Sequence, residues 1–142
     1  GRRRAAERLA EALLEDAAVR ALVETSDVLV PVPLHPRRQR ERGFNQSALL
    51  AAEVGRRTSR PTCADALVRR LDSLPQAGLS AAARRRNVRD AFAVRRRAAV
   101  AGRVVTLVDD VLTTGATALA CARRLEEAGA REVRLLTVAR VV

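Results

Sequence analysis

The segment Val104-Val105-Thr106-Leu107-Val108-Asp109-Asp110-Val111-Leu112-Thr113-Thr114-Gly115-Ala116-Thr117 changes character twice along its length. It opens as a short, almost continuous run of β-branched and aliphatic residues. Such a run predicts a strand over 103–108 that is buried on both faces, as strands of parallel sheets are. Two carboxylates follow, then a turn of small hydroxyl residues around Gly115. A helix is predicted over 116–128, with Leu119, Ala122 and Leu125 inward and Gly129 just past its end. Residues 132–139 read as a further strand. Strand, helix and strand in this order form a βαβ unit, whose crossover is right-handed.

The parts of this segment suit different chemical groups. A helix start offers backbone N–H groups and the positive end of the helix dipole, which together attract an anion. Gly115 lets the backbone come close, and Thr113, Thr114 and Thr117 add hydroxyl donors beside Ala116. One phosphate group fits there. Asp109 and Asp110 would repel a phosphate. They suit instead two vicinal hydroxyls, or water around Mg²⁺. A phosphate site next to a diol site is the footprint of a ribose 5-phosphate.

Outward from this segment, residues 27–34 form a second apolar run, predicted to be a strand that ends near Pro31 because of its two prolines. Residues 2–24 show apolar residues at helical spacing (Ala6, Leu9, Leu13, Ala17) and are expected to form one helix. Asn45 is placed to cap a helix over 46–57. Residues 66–70 and 91–94 read as short strands. Residues 35–43 read as a basic loop, and 72–90 as a long loop with at most a helical turn after Ser80. The expected architecture is α/β: a mostly parallel sheet of about five strands, flanked by helices, in a single domain over 1–142.

Composition limits the function classes. The chain of 142 residues carries 27 Lys+Arg, all of them Arg, against 16 Asp+Glu, for a net charge of +11. Lys, Ile, Met, Tyr and Trp are absent, so much of this charge reflects a compositional bias and is weak support for nucleic acid. Phe44 and Phe92 are the only aromatic residues, which excludes a platform stacking successive bases. No apolar run approaches about 18 residues, so no membrane-spanning helix is expected. Cys63 and Cys121 are single and far apart, which excludes a disulfide framework within the chain. That usage, with no visible signal peptide, suits a cytoplasmic location.

Residues 104–117 resemble the phosphoribosyl pyrophosphate (PRPP) loop of type I phosphoribosyltransferases: an apolar run, two acidic residues, and a Thr/Gly-rich turn, without a gap. Residues 30–46, Val-Pro-Val-Pro-Leu-His-Pro-Arg-Arg-Gln-Arg-Glu-Arg-Gly-Phe-Asn-Gln, are similar to the signature of the ComF (competence protein F-like, GntX-like) branch of that family. So are residues 76–92. Full-length relatives carry an N-terminal cysteine module of zinc-binding type; nothing here corresponds to it, so either the chain begins after it or the protein lacks it.

The resemblance implies roles for named residues. Asp109 and Asp110 would act at the ribose in a catalytic capacity. Thr113, Thr114, Gly115, Ala116 and Thr117 would hold the 5′-phosphate of PRPP. The basic segment 35–43, net +3 with His35, Arg37, Arg38, Arg40 and Arg42, would face the pyrophosphate, since Arg binds phosphate oxygens bidentately. Gln76, Arg84, Arg85, Arg86 and Asn87 would belong to a flap that closes over the site and excludes water. The implied ligand is Mg²⁺ with PRPP, and no metal is expected to be held directly by the protein. The implied reaction transfers the 5-phosphoribosyl group to an unidentified acceptor, with release of pyrophosphate. A non-catalytic PRPP or nucleotide sensor and a DNA-uptake accessory protein remain alternatives, because fold does not fix function. A homo-oligomer is left open.

Overall fold

The computed structural model of the chain describes residues 1–34, 36–70, 78, 80–112 and 115–140, with the backbone alone at a few of these, Arg38 and Asn87 among them. Its centre is a parallel sheet of β1 (Val28–Pro31), β4 (Val104–Leu112) and β5 (Glu132–Arg140), in the spatial order β1-β4-β5. Val28 pairs with Val105 and Val108 with Leu136, which fixes the register. On the far side of β1 the backbone bonds Leu29 N–H to Pro61 O and Cys63 N–H to Leu29 O, both 2.9 Å, extending the sheet by a parallel bridge at Thr62. The other two expected strands, β2 (Leu67–Arg69) and β3 (Phe92–Val94), form a separate antiparallel pair.

Two apolar cores sandwich this sheet. On one face, Val28, Val30, Val105 and Leu107 pack with Phe92, Val100 and Leu125. Leu125 belongs to α7 (Ala116–Glu127), and Val100 to the short α6 (Arg97–Val100). On the other face, Leu29, Val108 and Leu136 pack with α1 (Arg2–Glu15), α2 (Ala17–Glu24) and α4 (Gln46–Thr58). The connection from β1 through α4 therefore lies on one face, and the β4–α7–β5 crossover on the other. The chain leaves β1 toward the bridge at Thr62, while β4 lies on its opposite side. The C-terminal ends of β1 and β4 thus flank a topological switch point, where sheets of this kind place their ligands.

Several boundaries differ from the sequence reading. The helix over 2–24 is two helices: Asp16 leaves helical geometry (φ −75, ψ 120), and its Oδ1 accepts from Ala18 N–H at 2.8 Å and Val19 N–H at 3.3 Å, which caps α2. The buried residues of α1 are Ala6, Ala10 and Leu14, the last two one position on from Leu9 and Leu13. The first basic loop is a helix, α3 (Pro36–Arg42), with proline at the first helical position and Gly43 (φ 75) closing it. Of the long loop expected over 72–90, residues 81–90 form α5 (Ala81–Asp90), while 72–77 and 79 lie outside the described residues. Ala and Arg are strong helix formers, and Ser80 Oγ accepts from Ala83 N–H at 3.1 Å. On α7, Ala118, Cys121 and Leu125 face inward, so Leu119, expected inside, points out and is 53% exposed. Among the described residues, no helix is long and apolar enough to cross a membrane.

Candidate functional site

β4 does not stop at Val108. It continues through Asp109 and Asp110 to Leu112, with Asp109 in register with Thr137 and Val111 with Ala139. Asp109 is therefore held in the strand register, Asp110 lies within the same strand with its N–H held by Ser47, and neither is part of a loop. Each carboxylate is half-buried at the C-terminal end of the central strand. Burial pushes the Asp109 carboxyl up to about 6, the negative charge of Asp110 beside it acts in the same direction, and a hydrogen bond with Ser47 opposes both. Ser47 is buried in the first turn of α4, and its Oγ accepts from Asp110 N–H at 3.2 Å.

Asn45 positions that first turn. Its Oδ1 accepts from Ser47 N–H at 3.0 Å and Ala48 N–H at 3.3 Å, and its Nδ2 donates to Val32 O at 3.2 Å, just past β1. One side chain thus ties the end of β1 to the start of α4 and brackets the basic segment between them. On α3, Arg37, Arg40 and Arg42 are exposed. His35, and the side chain of Arg38, lie outside the described residues.

Beyond β4, Thr113 and Thr114 also lie outside the described residues. The chain reappears at Gly115, whose φ of 82 and ψ of −3 favour glycine over any other residue. Gly115 is the N-cap of α7 and supplies no side-chain cap, so the helix opens as a backbone terminus beside Ala116 and Thr117. Cys121, one turn further and fully buried, has its thiol pushed up to about 12 by burial and by the charge of Asp109, which leaves it an inert core residue. Arg84, Arg85 and Arg86 are exposed on α5, which packs against α7. Gln76 and the side chain of Asn87 lie outside the described residues. No cluster of three metal-ligating side chains occurs among the described residues.

The sequence reading did not include Ser47. Its only signal is a hydroxyl in the first turn after an Asn cap. Nor did it place Phe44, which lines a cavity of about 450 Å³ together with Leu9, Leu49, Val111 and Val138. Asp110 borders this cavity, and the guanidinium of Arg2 lies 4.2 Å from the centre of the Phe44 ring. An apolar cavity bordered by Asp110 thus lies at the end of β4, and a glycine-opened helix terminus follows the two carboxylates in sequence. Such a site can accept hydrogen bonds from hydroxyls on one side, hold an anion on another, and shelter an apolar group on a third.

Residues 57–141 match the phosphoribosyl transferase domain family. The chain belongs to that family. It is 34% identical over 138 residues to competence protein F of Haemophilus influenzae, covering 94% of this chain and 58% of the relative. It is 38% identical over 120 residues to the DNA utilization protein YhgH of Escherichia coli, covering 84% and 52%. These matches agree with the ComF-like resemblance of residues 30–46 and 76–92. The chain spans about half the length of these curated relatives. Among solved structures, the allosteric regulatory enzyme of purine biosynthesis superposes with a TM-score of 0.65 at 26% identity, covering 94% of this chain and 25% of that one. A purine phosphoribosyltransferase from Pyrococcus horikoshii, at 15% identity and TM-score 0.56, shares the fold.

Proposed function

We propose that this protein binds PRPP with Mg²⁺ at the C-terminal end of β4 and transfers its 5-phosphoribosyl group to a small acceptor. One observation carries the reading: two half-buried carboxylates lie in the C-terminal part of the central parallel strand at the switch point, a few residues before the Gly115 opening of α7. Residues 113–117 would hold the 5′-phosphate, and Asp109 and Asp110 the ribose 2′- and 3′-hydroxyls. Arg37, Arg38, Arg40 and Arg42, with His35, would face the pyrophosphate.

The donor set suits a hard cation that arrives with its ligand. Two adjacent carboxylates with no third ligand among the described residues favour Mg²⁺ held chiefly by PRPP oxygens and water, with Asp109 and Asp110 in contact through that water. Bound there, the ion would neutralise charge on the departing pyrophosphate. The C1–O bond breaks with its electron pair leaving on pyrophosphate, and the acceptor's lone pair forms the new bond to C1 with inversion. The acceptor's proton passes to water or to the acidic pair. The chain's own contribution is positional and electrostatic: Asp109 and Asp110 orient the sugar and favour positive charge at C1. The cavity lined by Phe44, Leu49 and Val111 would take the acceptor, which its lining suits to an uncharged, largely apolar molecule.

A second reading has its own support. The relatives are named for competence and DNA utilization, so the same site could serve as a PRPP sensor in DNA uptake. Calorimetric titration with Mg²⁺–PRPP, followed by pyrophosphate-release assays across acceptors, separates the two. Saturable binding that is lost in Asp109→Asn/Asp110→Asn supports the site, and turnover distinguishes enzyme from sensor. Absence of PRPP binding would sink both.

A further inference from the structure

Helices α5 and α7 leave between them a groove of about 420 Å³, lined by Arg84, Arg85 and Arg123 together with Ala81, Leu119 and Ala120. Among the described residues, no carboxylate lines it. Arg124, the next residue on α7, is engaged by Asp90 at 3.2 Å and Glu127 at 3.1 Å. Arg84, Arg85 and Arg123, in contrast, have no ion pair or side-chain hydrogen bond among the described residues. Leu119, in this groove, is the most exposed large apolar side chain among the described residues, at 53% against 36% for Leu9, 42% for Val111 and 38% for Leu135 elsewhere. Leu9 and Val111 belong to the cavity beside Asp110, so their exposure already has a place in the ligand site.

Leu119 is solvated in a groove that it shares with three like charges, and both features are relieved by the same kind of partner. An aliphatic side chain would cover Leu119, and flanking carboxylates would engage the guanidiniums in bidentate pairs. We propose that the α5/α7 groove docks an acidic peptide segment of a partner protein, with an aliphatic residue seated on Leu119 and carboxylates paired to Arg84, Arg85 and Arg123. A nucleic acid strand fits less well. Its bases call for stacking surfaces, and the two aromatic residues are elsewhere: Phe92 is buried in the core and Phe44 lines the other cavity. The groove reaches Ala116, so the docked segment would lie next to the opening of α7.

Fluorescence polarisation tests this with a panel of labelled acidic octapeptides carrying two leucines at varied spacing, their leucine-to-serine counterparts, and labelled oligothymidylate. A leucine-bearing peptide is expected to bind with a Kd that weakens about tenfold in Arg123→Glu and about fivefold in Leu119→Ser. Its serine counterpart is expected to bind at least about fivefold more weakly than it does. Both substituted positions are exposed, and circular dichroism checks that each variant folds. No binding by any leucine-bearing peptide would overturn the proposal. So would equal binding of the serine peptides, or oligothymidylate binding that these two substitutions abolish. Self-association of the wild type that Arg123→Glu removes would assign the groove to a second copy, and would overturn it as well. PRPP binding is read separately, so a failure of the PRPP site and a failure of the groove are distinguishable.

Discussion

The hydroxyl of Ser47 accepts a hydrogen bond from the backbone N–H of Asp110 at 3.2 Å, and so joins the first turn of α4 to the acidic end of β4. The bond is local in space and distant in sequence. It fixes where β4 ends relative to the segment that carries α3. In Ser47→Ala the Asp110 N–H loses this partner in a part-buried setting, and leaving such a group unsatisfied costs about 1–3 kcal/mol. The Asp109 carboxyl also loses the hydroxyl that holds it down, so it should shift further upward. Urea denaturation should show the loss, and PRPP titration should show weakened affinity. Unchanged behaviour in both would remove Ser47 from the site.

The raised Asp109 carboxyl sets a pH dependence with a defined sign. Its value moves from 3.8 to about 6, mainly through burial and then through Asp110. The folded state therefore favours the neutral form. The associated stability is fully present below the unfolded value of 3.8 and is lost as pH rises through about 6. In Asp109→Asn the penalty at high pH disappears. With Asp109 half-exposed and solvent screening the charge, the variant should be more stable than the wild type by about 1 kcal/mol at pH 8. The difference should vanish near pH 4. Urea midpoints collected across this range test the claim; parallel curves would contradict it. The same variant is expected to lose PRPP affinity, which would make the carboxylate a group kept for function at the expense of stability.

The residues that were legible in the sequence are those whose structure is fixed by local chemistry. Asn45 caps α4, Gly129 (φ 97) follows α7, and the apolar runs around Val30 and Leu107 form parallel strands, each because backbone geometry or burial leaves little choice. The two basic segments were illegible because they lack an apolar stripe. Pro36 and Gly43 bound α3 as punctuation marks, and the Ala/Arg run of α5 declares itself by propensity alone. Leu119 was misplaced because Ala118 and Cys121 are small. The helix turns those toward the crowded face and leaves its bulkier neighbour, about 100° around the axis, outside. Asp109 and Asp110 stood out as candidates from their position after the apolar run, whereas Ser47 needed the tertiary pairing of α4 with β4.

Gly55 offers a test in which two effects oppose one another. It sits inside α4, where alanine would ordinarily gain about 1 kcal/mol in helix propensity. A Cβ there would meet the backbone oxygen of Arg60 at 2.8 Å and would collide with Thr62 Oγ1. The Arg60 carbonyl belongs to the turn in which Arg60 N–H donates to Gly55 O at 2.9 Å, so it has little room to yield. Overpacking of this kind costs about 1–3 kcal/mol and should win. Gly55→Ala is expected to lower the thermal midpoint by several degrees, since about 1 kcal/mol shifts a domain of this size by about 2–5 °C. It should also loosen the Leu29–Thr62 bridge, visible as faster amide exchange at Cys63. A raised midpoint would show that the turn relaxes freely.

Asn45 can be separated into its two functions by paired substitutions. As a cap, its Oδ1 accepts from Ser47 and Ala48 N–H; as a strut, its Nδ2 donates to Val32 O. Asn45→Ala removes both and should destabilise the protein by about 1–2 kcal/mol, the usual range for a lost cap. Asn45→Asp keeps the acceptor and the favourable charge at a helix N-terminus, so α4 should retain most of its stability. It loses the bond to Val32 and places a carboxylate facing a carbonyl, which frees the end of β1 from α4. The consequence should then fall on the segment between them, which carries Arg37, Arg40 and Arg42. Asn45→Asp is expected to weaken Mg²⁺–PRPP binding several-fold while lowering the urea midpoint less than Asn45→Ala does. If affinity instead tracked stability across the two variants, Asn45 would be a cap only, and the basic segment would owe its position to something else.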